Sequence, residues 1–211
     1  HYSNSFVGVP DSTVHIPVPD AKRPLALPEL ATVKENNDDK GQGRVKVAFD
    51  WQKNGKTTNW IRVQTPNAGV SGAVPKNRGW VFVPEVGDQV MVSYEHGNPD
   101  RPYVTGSVFH SGSGKGGDKD NKVKSIITRS GNAIVFDDET GSIVITDQTG
   151  KQLIMLDGTD AITVMAKKSI TLTNEAESVI VMDDKSIGLQ ADTIALEARK
   201  SVTLLSGNEC M

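Results

Sequence analysis

The sequence has little of what usually signals chemistry. Its 211 residues hold one cysteine, Cys210, so no disulfide can form within the chain, and a thiol one residue from the end reads as a bystander. The four histidines, His1, His15, His96 and His110, are scattered, so neither Ser-His-Asp nor Cys-His catalysis has support. No apolar run approaches the roughly 20 residues of a membrane-spanning helix, and no signal peptide precedes the first expected strand. A net charge of −3 and a pI near 5.8 give no bulk attraction to nucleic acid or an anionic membrane. A start at His1 rather than Met leads us to expect a fragment whose N-terminal part is missing.

The absences are unevenly spread. All ten prolines lie at or before Pro102 and all three tryptophans at or before Trp80, while Phe136 is the sole aromatic after His110. These shifts predict four pieces. Residues 1–30 hold five prolines and read as an extended arm, the remnant of an upstream domain. Residues 31–110 form a small β-domain, 111–122 a Gly/Ser-rich linker, and 123–211 a repetitive β-structure.

Within 31–110, period-2 alternation marks strands at 43–51, 59–65, 79–86, 88–97 and 103–109, separated by turn signals such as Lys53-Asn54-Gly55 and Asn98-Pro99-Asp100. Five short strands with little helical signal suggest a closed barrel. The OB-fold is the economical choice, and an SH3-like barrel remains open.

From Ser142 one phrase recurs: SIVIT, QLIML, AITVM, SITLT, SVIVM, SIGLQ, TIALE and SVTLL. The second and fourth positions of each are apolar: Ile143/Ile145, Leu153/Met155, Ile162/Val164, Ile170/Leu172, Val179/Val181, Ile187/Leu189, Ile194/Leu196 and Val202/Leu204. In a strand such positions share a face, so each strand is expected to bury one side. Three units, about 24 residues, would complete one turn of a three-sided coil, so a single chain would make only two or three turns around a thin core. Three intertwined chains remove that weakness. Narrow side chains then meet on a dry axis, in a rod of about 40 Å. The expected fold class is therefore all-β: an OB-fold barrel followed by an intertwined triple-stranded β-helix, a homotrimeric needle whose core is the sixteen residues just named. An ordinary hairpin sheet would call for Asn-Gly or Asp-Gly joints, and only Asp157-Gly158 fits.

GRVKVAFDW (43–51), NWIRVQTPNAG (59–69), GWVFVPEVGDQVMVSYEHGNPDRPYVTGSVF (79–109) and TRSGNAIVFDDETG (128–141) resemble the VgrG spike proteins of type VI secretion and the related baseplate spikes of contractile phages. The likeness runs from about Lys40 to the C-terminus. It implies a homotrimer with an OB-fold neck and a β-helix needle, mounted on a tail-tube protein and driven through a target-cell envelope with effectors aboard. It also implies assembly in the bacterial cytoplasm followed by injection, no enzymatic activity, no catalytic residue and no cofactor. With no histidine in the needle, no tip metal is expected, and a separate tip-capping protein takes its place. The stretch 70–77 (VSGAVPKN) is longer than the family pattern.

Other chemistries are weaker. Asp137/Asp138 and Asp183/Asp184 are paired carboxylates, as a β-solenoid lyase or adhesin acting on carbohydrate would use. Strand neighbours point to opposite faces, however, so corner positions suit them better. Thr128-Arg129-Ser130-Gly131 reads as a turn rather than an anion site. Trp51, Trp60, Trp80, Lys46, Arg62 and Arg78 could equip an OB-fold for single strands, but the acidic total favours core and contact roles, and no nucleic acid is expected.

Overall fold

A computed structural model describes residues 3–6, 8, 10–12, 24–114 and 116–203. The chain separates into two compact units, 1–115 and 116–211. Among the described residues the structure is nearly all β, and no helix is long and apolar enough to cross a membrane.

In the first unit, β1 (Glu29–Glu35), β2 (Lys46–Phe49), β3 (Arg62–Val63), β6 (Gln89–Tyr94) and β7 (Pro102–Ser107) form one sheet in the order β2-β1-β6-β7-β3, and β4 (Ala68–Gly69) pairs with β5 (Arg78–Gly79) beside it. All contacts in the main sheet are antiparallel except β3–β7, which is parallel. An isolated bridge between Val45 and Ile61 joins the two ends of that order. Five strands in this order, with that parallel pair, make an OB barrel. Every second residue of its strands points inward. Ala31, Val33, Val45, Val47, Phe49, Ile61, Val90, Val92 and Val104 are buried, and mostly short β-branched side chains fit so narrow an interior.

One expected strand is exchanged for another. The alternation over 79–86 is not used as a strand beyond Gly79, and Trp80, Val81, Phe82 and Val86 are exposed. The missing member is β1, which begins inside the segment assigned to the proline-rich arm and sits centrally, between β2 and β6. Once β1 is in place and Val45 meets Ile61, the ring has no edge left for 80–86.

The second unit begins with β8 (Val123–Ile127), β9 (Ala133–Asp137), β10 (Ser142–Thr146), β11 (Leu153–Leu156) and β12 (Ile162–Met165), an antiparallel sheet in sequence order. A three-stranded antiparallel sheet follows, β13 (Ile170–Thr173), β14 (Val179–Met182) and β15 (Ile187–Gln190). Neighbouring phrases thus lie side by side as meanders, and their joints depart from the expected hairpin chemistry. Instead of Asn-Gly pairs, an Asp or Asn closing each strand takes the backbone N–H groups of its own turn. Asp147 accepts from Gln152 at 3.0 Å, Asp157 from Thr159 at 2.8 Å, Asn174 from Ser178 at 3.0 Å and Asp183 from Ser186 at 2.9 Å.

The phrases TIALE and SVTLL are not strands in the described residues. Ile194, Leu196 and Val202 are exposed, and Leu204 lies outside the described residues. A short segment needs a paired neighbour to hold extended form, and β15 pairs only with β14.

Candidate functional site: an open apolar sheet face

The sites that single-residue chemistry would suggest are occupied with holding turns. Asp137 accepts the N–H groups of Glu139 (2.8 Å) and Thr140, while Asp138 is ion-paired to Lys124, so the two carboxylates do not converge. Asp183 is committed to the turn that starts at its own position. Across 128–132, Gly131 takes a φ of 94° and donates to the Thr128 carbonyl at 2.9 Å, and the Asn132 amide oxygen reaches across to the Gln148 N–H at 3.1 Å. His96 occupies a left-handed position (φ 54°), and the His110 ring accepts from the Gly112 N–H. Among the described residues, no three His, Cys, Asp or Glu side chains gather as a metal site.

The carboxylates at these turns are strongly acidic. N–H donation from Thr159, with its hydroxyl and the Ala161 N–H, brings Asp157 down to about 2. The Thr149 hydroxyl and nearby N–H groups lower Asp147, and the Lys185 and Ser186 N–H groups lower Asp183. In the barrel unit the Arg44 guanidinium, forked onto Asp38 at 2.7 and 2.9 Å, holds that carboxyl far below its ordinary range.

The tryptophans do not form a common platform. Trp51 stacks on Phe49 (5.3 Å) and donates to Glu29, Trp60 lies under the Lys46 ammonium (4.8 Å), and Trp80 tilts against Phe82. Lys46 is also bound to the Glu35 carboxylate, and Arg78 to Asn67 and the Val70 carbonyl. Arg62 lies apart from them, beside Val63, Gln64, Glu95 and Tyr103.

What the second unit does present is a surface. Directly opposed residues in an antiparallel pair share a face. Phe136 and Leu156 flank Ile143, and Ile134 and Ile154 flank Ile145. Ile162 and Val164 extend this face across β12, and Ile126 extends it across β8. Its one charged residue, Lys124, is held by Asp138 and the Asn121 carbonyl. The reverse face mixes apolar Val123, Ile127, Ala133, Val135, Val144, Leu153, Met155 and Met165 with Ser125, Asp137, Ser142, Thr146 and Thr163.

This register alters the face expected for two phrases. Leu153 and Met155 lie opposite Thr146 and Val144, on the mixed side. In the three-stranded sheet Val179 and Val181 likewise oppose Thr173 and Thr171, while Ile170, Leu172, Ile180, Met182, Ile187 and Leu189 share the other side. Sequence reasoning passed over Ile134, Phe136, Ile154, Leu156, Ile180 and Met182, although their period-2 spacing was available in each strand.

Within β11 the side that joins the apolar face is the more exposed one. In β11, Ile154 and Leu156 are 45% and 41% exposed, whereas Leu153 and Met155 on the mixed side are half-buried. No described residue of the second unit is buried at all.

Residues 29–109 match the family described as the type VI secretion system/phage-baseplate injector OB domain. The chain is 31% identical over 156 residues to type VI secretion system spike protein VgrG3 of Vibrio cholerae, covering 67% of this chain and 15% of that protein. It is 35% identical over 113 residues to spike protein VgrG1a of Pseudomonas aeruginosa, covering 52% of this chain and 16% of the relative. A third relative, the actin cross-linking toxin VgrG1 of Vibrio cholerae, is 30% identical over 118 residues, 52% of this chain and 10% of its own length. The chain therefore spans only a small part of each relative's length. Residues 29–109 belong to the injector OB-domain family of type VI secretion systems and phage baseplates, and the chain is a homologue of the VgrG spike proteins over the part of their length it spans.

Proposed function

We propose that this chain is the neck and needle of a type VI secretion spike, a mechanical part that works as a homotrimer and has no active site. The observation that carries this reading is the second unit's sheet face, apolar apart from Lys124 in its outer strand and left open in a unit with no buried residue among those described. A β-unit of this length without an interior is not stable alone. Three copies supply the interior: each offers the same face to a common axis, and the core includes the inward residues of β10, β12 and β13. The spike then sits on the tail-tube protein, is closed by a tip-capping protein, and carries effectors through a target envelope after assembly in the cytoplasm. Force transmission needs stiffness rather than a reactive group. The relatives named as spikes, and the injector OB domain at 29–109, support the reading.

A carbohydrate-active solenoid would need converging carboxylates, and Asp137 and Asp138 serve different partners. The test is the molar mass of the purified chain by light scattering. Three times 22.7 kDa is expected; a value near 22.7 kDa overturns the proposal.

A further inference from the structure

The sequence holds one Asn-Gly pair, Asn54-Gly55, and one Asp-Gly pair, Asp157-Gly158, and the fold treats them in opposite ways. From this contrast we infer that Asn54 is a self-modification site, where the chain converts its own asparagine to aspartate and isoaspartate, while Asp157 is protected from the corresponding isomerisation. The inference does not rest on the trimer.

The chemistry asks for little. The Gly55 backbone nitrogen attacks the side-chain amide carbon of Asn54 and forms the new C–N bond of a five-membered imide. The bond to the side-chain nitrogen breaks, and ammonia leaves with the proton of the backbone nitrogen. Water then opens the imide at either carbonyl, giving aspartate or an isoaspartate whose main chain runs through the side-chain methylene. The reaction needs a nitrogen unscreened by a Cβ, a side chain free to turn, and a backbone that can leave its resting conformation.

The tip 53–57 meets each need. Asn54 and Gly55 are both exposed, with φ of 62° and 67°, the paired positive values that Asn-Gly favours. Nothing lies within 4 Å of the place a Cβ on Gly55 would take, and among the described residues none bonds the Asn54 side chain. Across 53–57 the backbone is tied among the described residues by the Lys56 N–H to the Lys53 carbonyl alone, at 3.5 Å, so opening costs little. The feet of the loop are pinned. Gln52 binds Phe49 through backbone and side chain, both at 2.9 Å, and Thr58 binds Val47 through backbone (2.8 Å) and hydroxyl (3.1 Å). An added methylene is therefore absorbed in the tip and the barrel stays folded.

Asp157-Gly158 has none of this freedom. The Asp157 carboxylate accepts the N–H groups of Thr159, Asp160 and Ala161 and the Thr159 hydroxyl, which keep it ionised, and an ionised carboxylate resists attack. Gly158 is pressed against the Thr140 carbonyl, 2.1 Å from where its Cβ would sit, so this turn cannot reshape locally.

The experiment incubates the full chain at neutral pH in buffer and in urea, cuts it with an acid-active protease that adds no conversion of its own, and maps the peptides by mass spectrometry. Expected in buffer is a progressive loss of the Asn54 amide, the acid products eluting as two separate peptides, with no such loss in Asn54→Gln, whose ring would be six-membered. The Asp157 peptide should elute as one species from buffer and split in two from urea. An Asn54 that keeps its amide in buffer, whatever happens in urea, overturns the self-modification. An Asp157 peptide that behaves alike in buffer and in urea overturns the protection. Tryptophan fluorescence should hold its starting value as the amide disappears, and a decline in step with that loss overturns the absorption of the methylene by the tip.

Discussion

Val45 and Ile61 exchange both of their backbone hydrogen bonds, at 3.0 and 2.9 Å, and this one bridge joins the ends of the five-stranded order in the barrel unit. Both side chains point into the barrel, where Val45 is fully buried and Ile61 nearly so. Replacing Ile61 with Ala leaves the backbone pairing possible but opens a void at the junction. A loss of about 2–5 kcal/mol is expected for a large-to-small change at a buried site. All three tryptophans lie in this unit, so urea unfolding followed by their fluorescence reads the barrel alone. An unchanged midpoint would refute the account of the bridge.

The turns of the second unit set an acid limit. Asp157 titrates at about 2 in the folded chain, and Asp147 and Asp183 are lowered in the same direction. A depressed folded value means that the stabilisation is fully present above the unfolded carboxyl range, about 3.9, and is lost as pH falls through the folded value. Circular-dichroism melts should therefore be nearly flat from pH 7 to about 5 and fall between about pH 4 and 2. Asp157→Asn retains an acceptor for the Thr159 N–H and should reduce this acid sensitivity, whereas Asp157→Ala should lower the melting temperature at every pH.

The Asp38–Arg44 fork is the corresponding device in the barrel, where one carboxylate ties down both the Arg44 side chain and the N–H groups of Lys40 and Gln42. Arg44→Gln removes the chief cause of the lowered Asp38 value. Carboxyl NMR should then show Asp38 titrating higher, toward the ordinary Asp range, and the pH at which the loop between β1 and β2 loosens should rise with it. An Asp38 titration unaffected by this change would contradict the assignment.

Gly158 tests the meander. It has a φ of 78°, and a methyl group there would sit 2.1 Å from the Thr140 carbonyl oxygen, in the turn between β9 and β10. Backbone cannot yield as a flexible side chain does. Gly158→Ala should cost at least about 1–3 kcal/mol and depress the thermal transition of the second unit. An alanine variant as stable as the parent would mean that the two turns do not approach each other.

Much of this architecture is legible in the residues, and the failures have identifiable physical causes. Strand spacing gives the β class and the OB alternative, because valines at every second position can serve only a one-sided strand. β1 is obscured by Pro28, directly before it, although Ala31 and Val33 already alternate with Thr32 and Lys34. The stretch 80–86 has the right periodicity but no available edge. Phrases such as SITLT allow one apolar frame, and there the expected pair shares a side with its neighbours. QLIML and SVIVM are apolar in both frames, so composition cannot choose between them. The choice falls to the register, which is set by turn length and by the side chains of Asp147 and Asn174. The turns were hidden because an Asp or Asn that collects N–H groups can do the work for which glycine was sought.

The open isoleucine side also bears on how the protein is made. A newly synthesised copy exposes a sheet that any stray apolar segment can adhere to, and its outer strands β8 and β12 present unpaired backbone to the first extended peptide they encounter. On the trimer proposed above, production becomes a race between correct encounter and clumping. Soluble yield should depend less on the strength of any one contact than on how soon after synthesis neighbouring copies emerge.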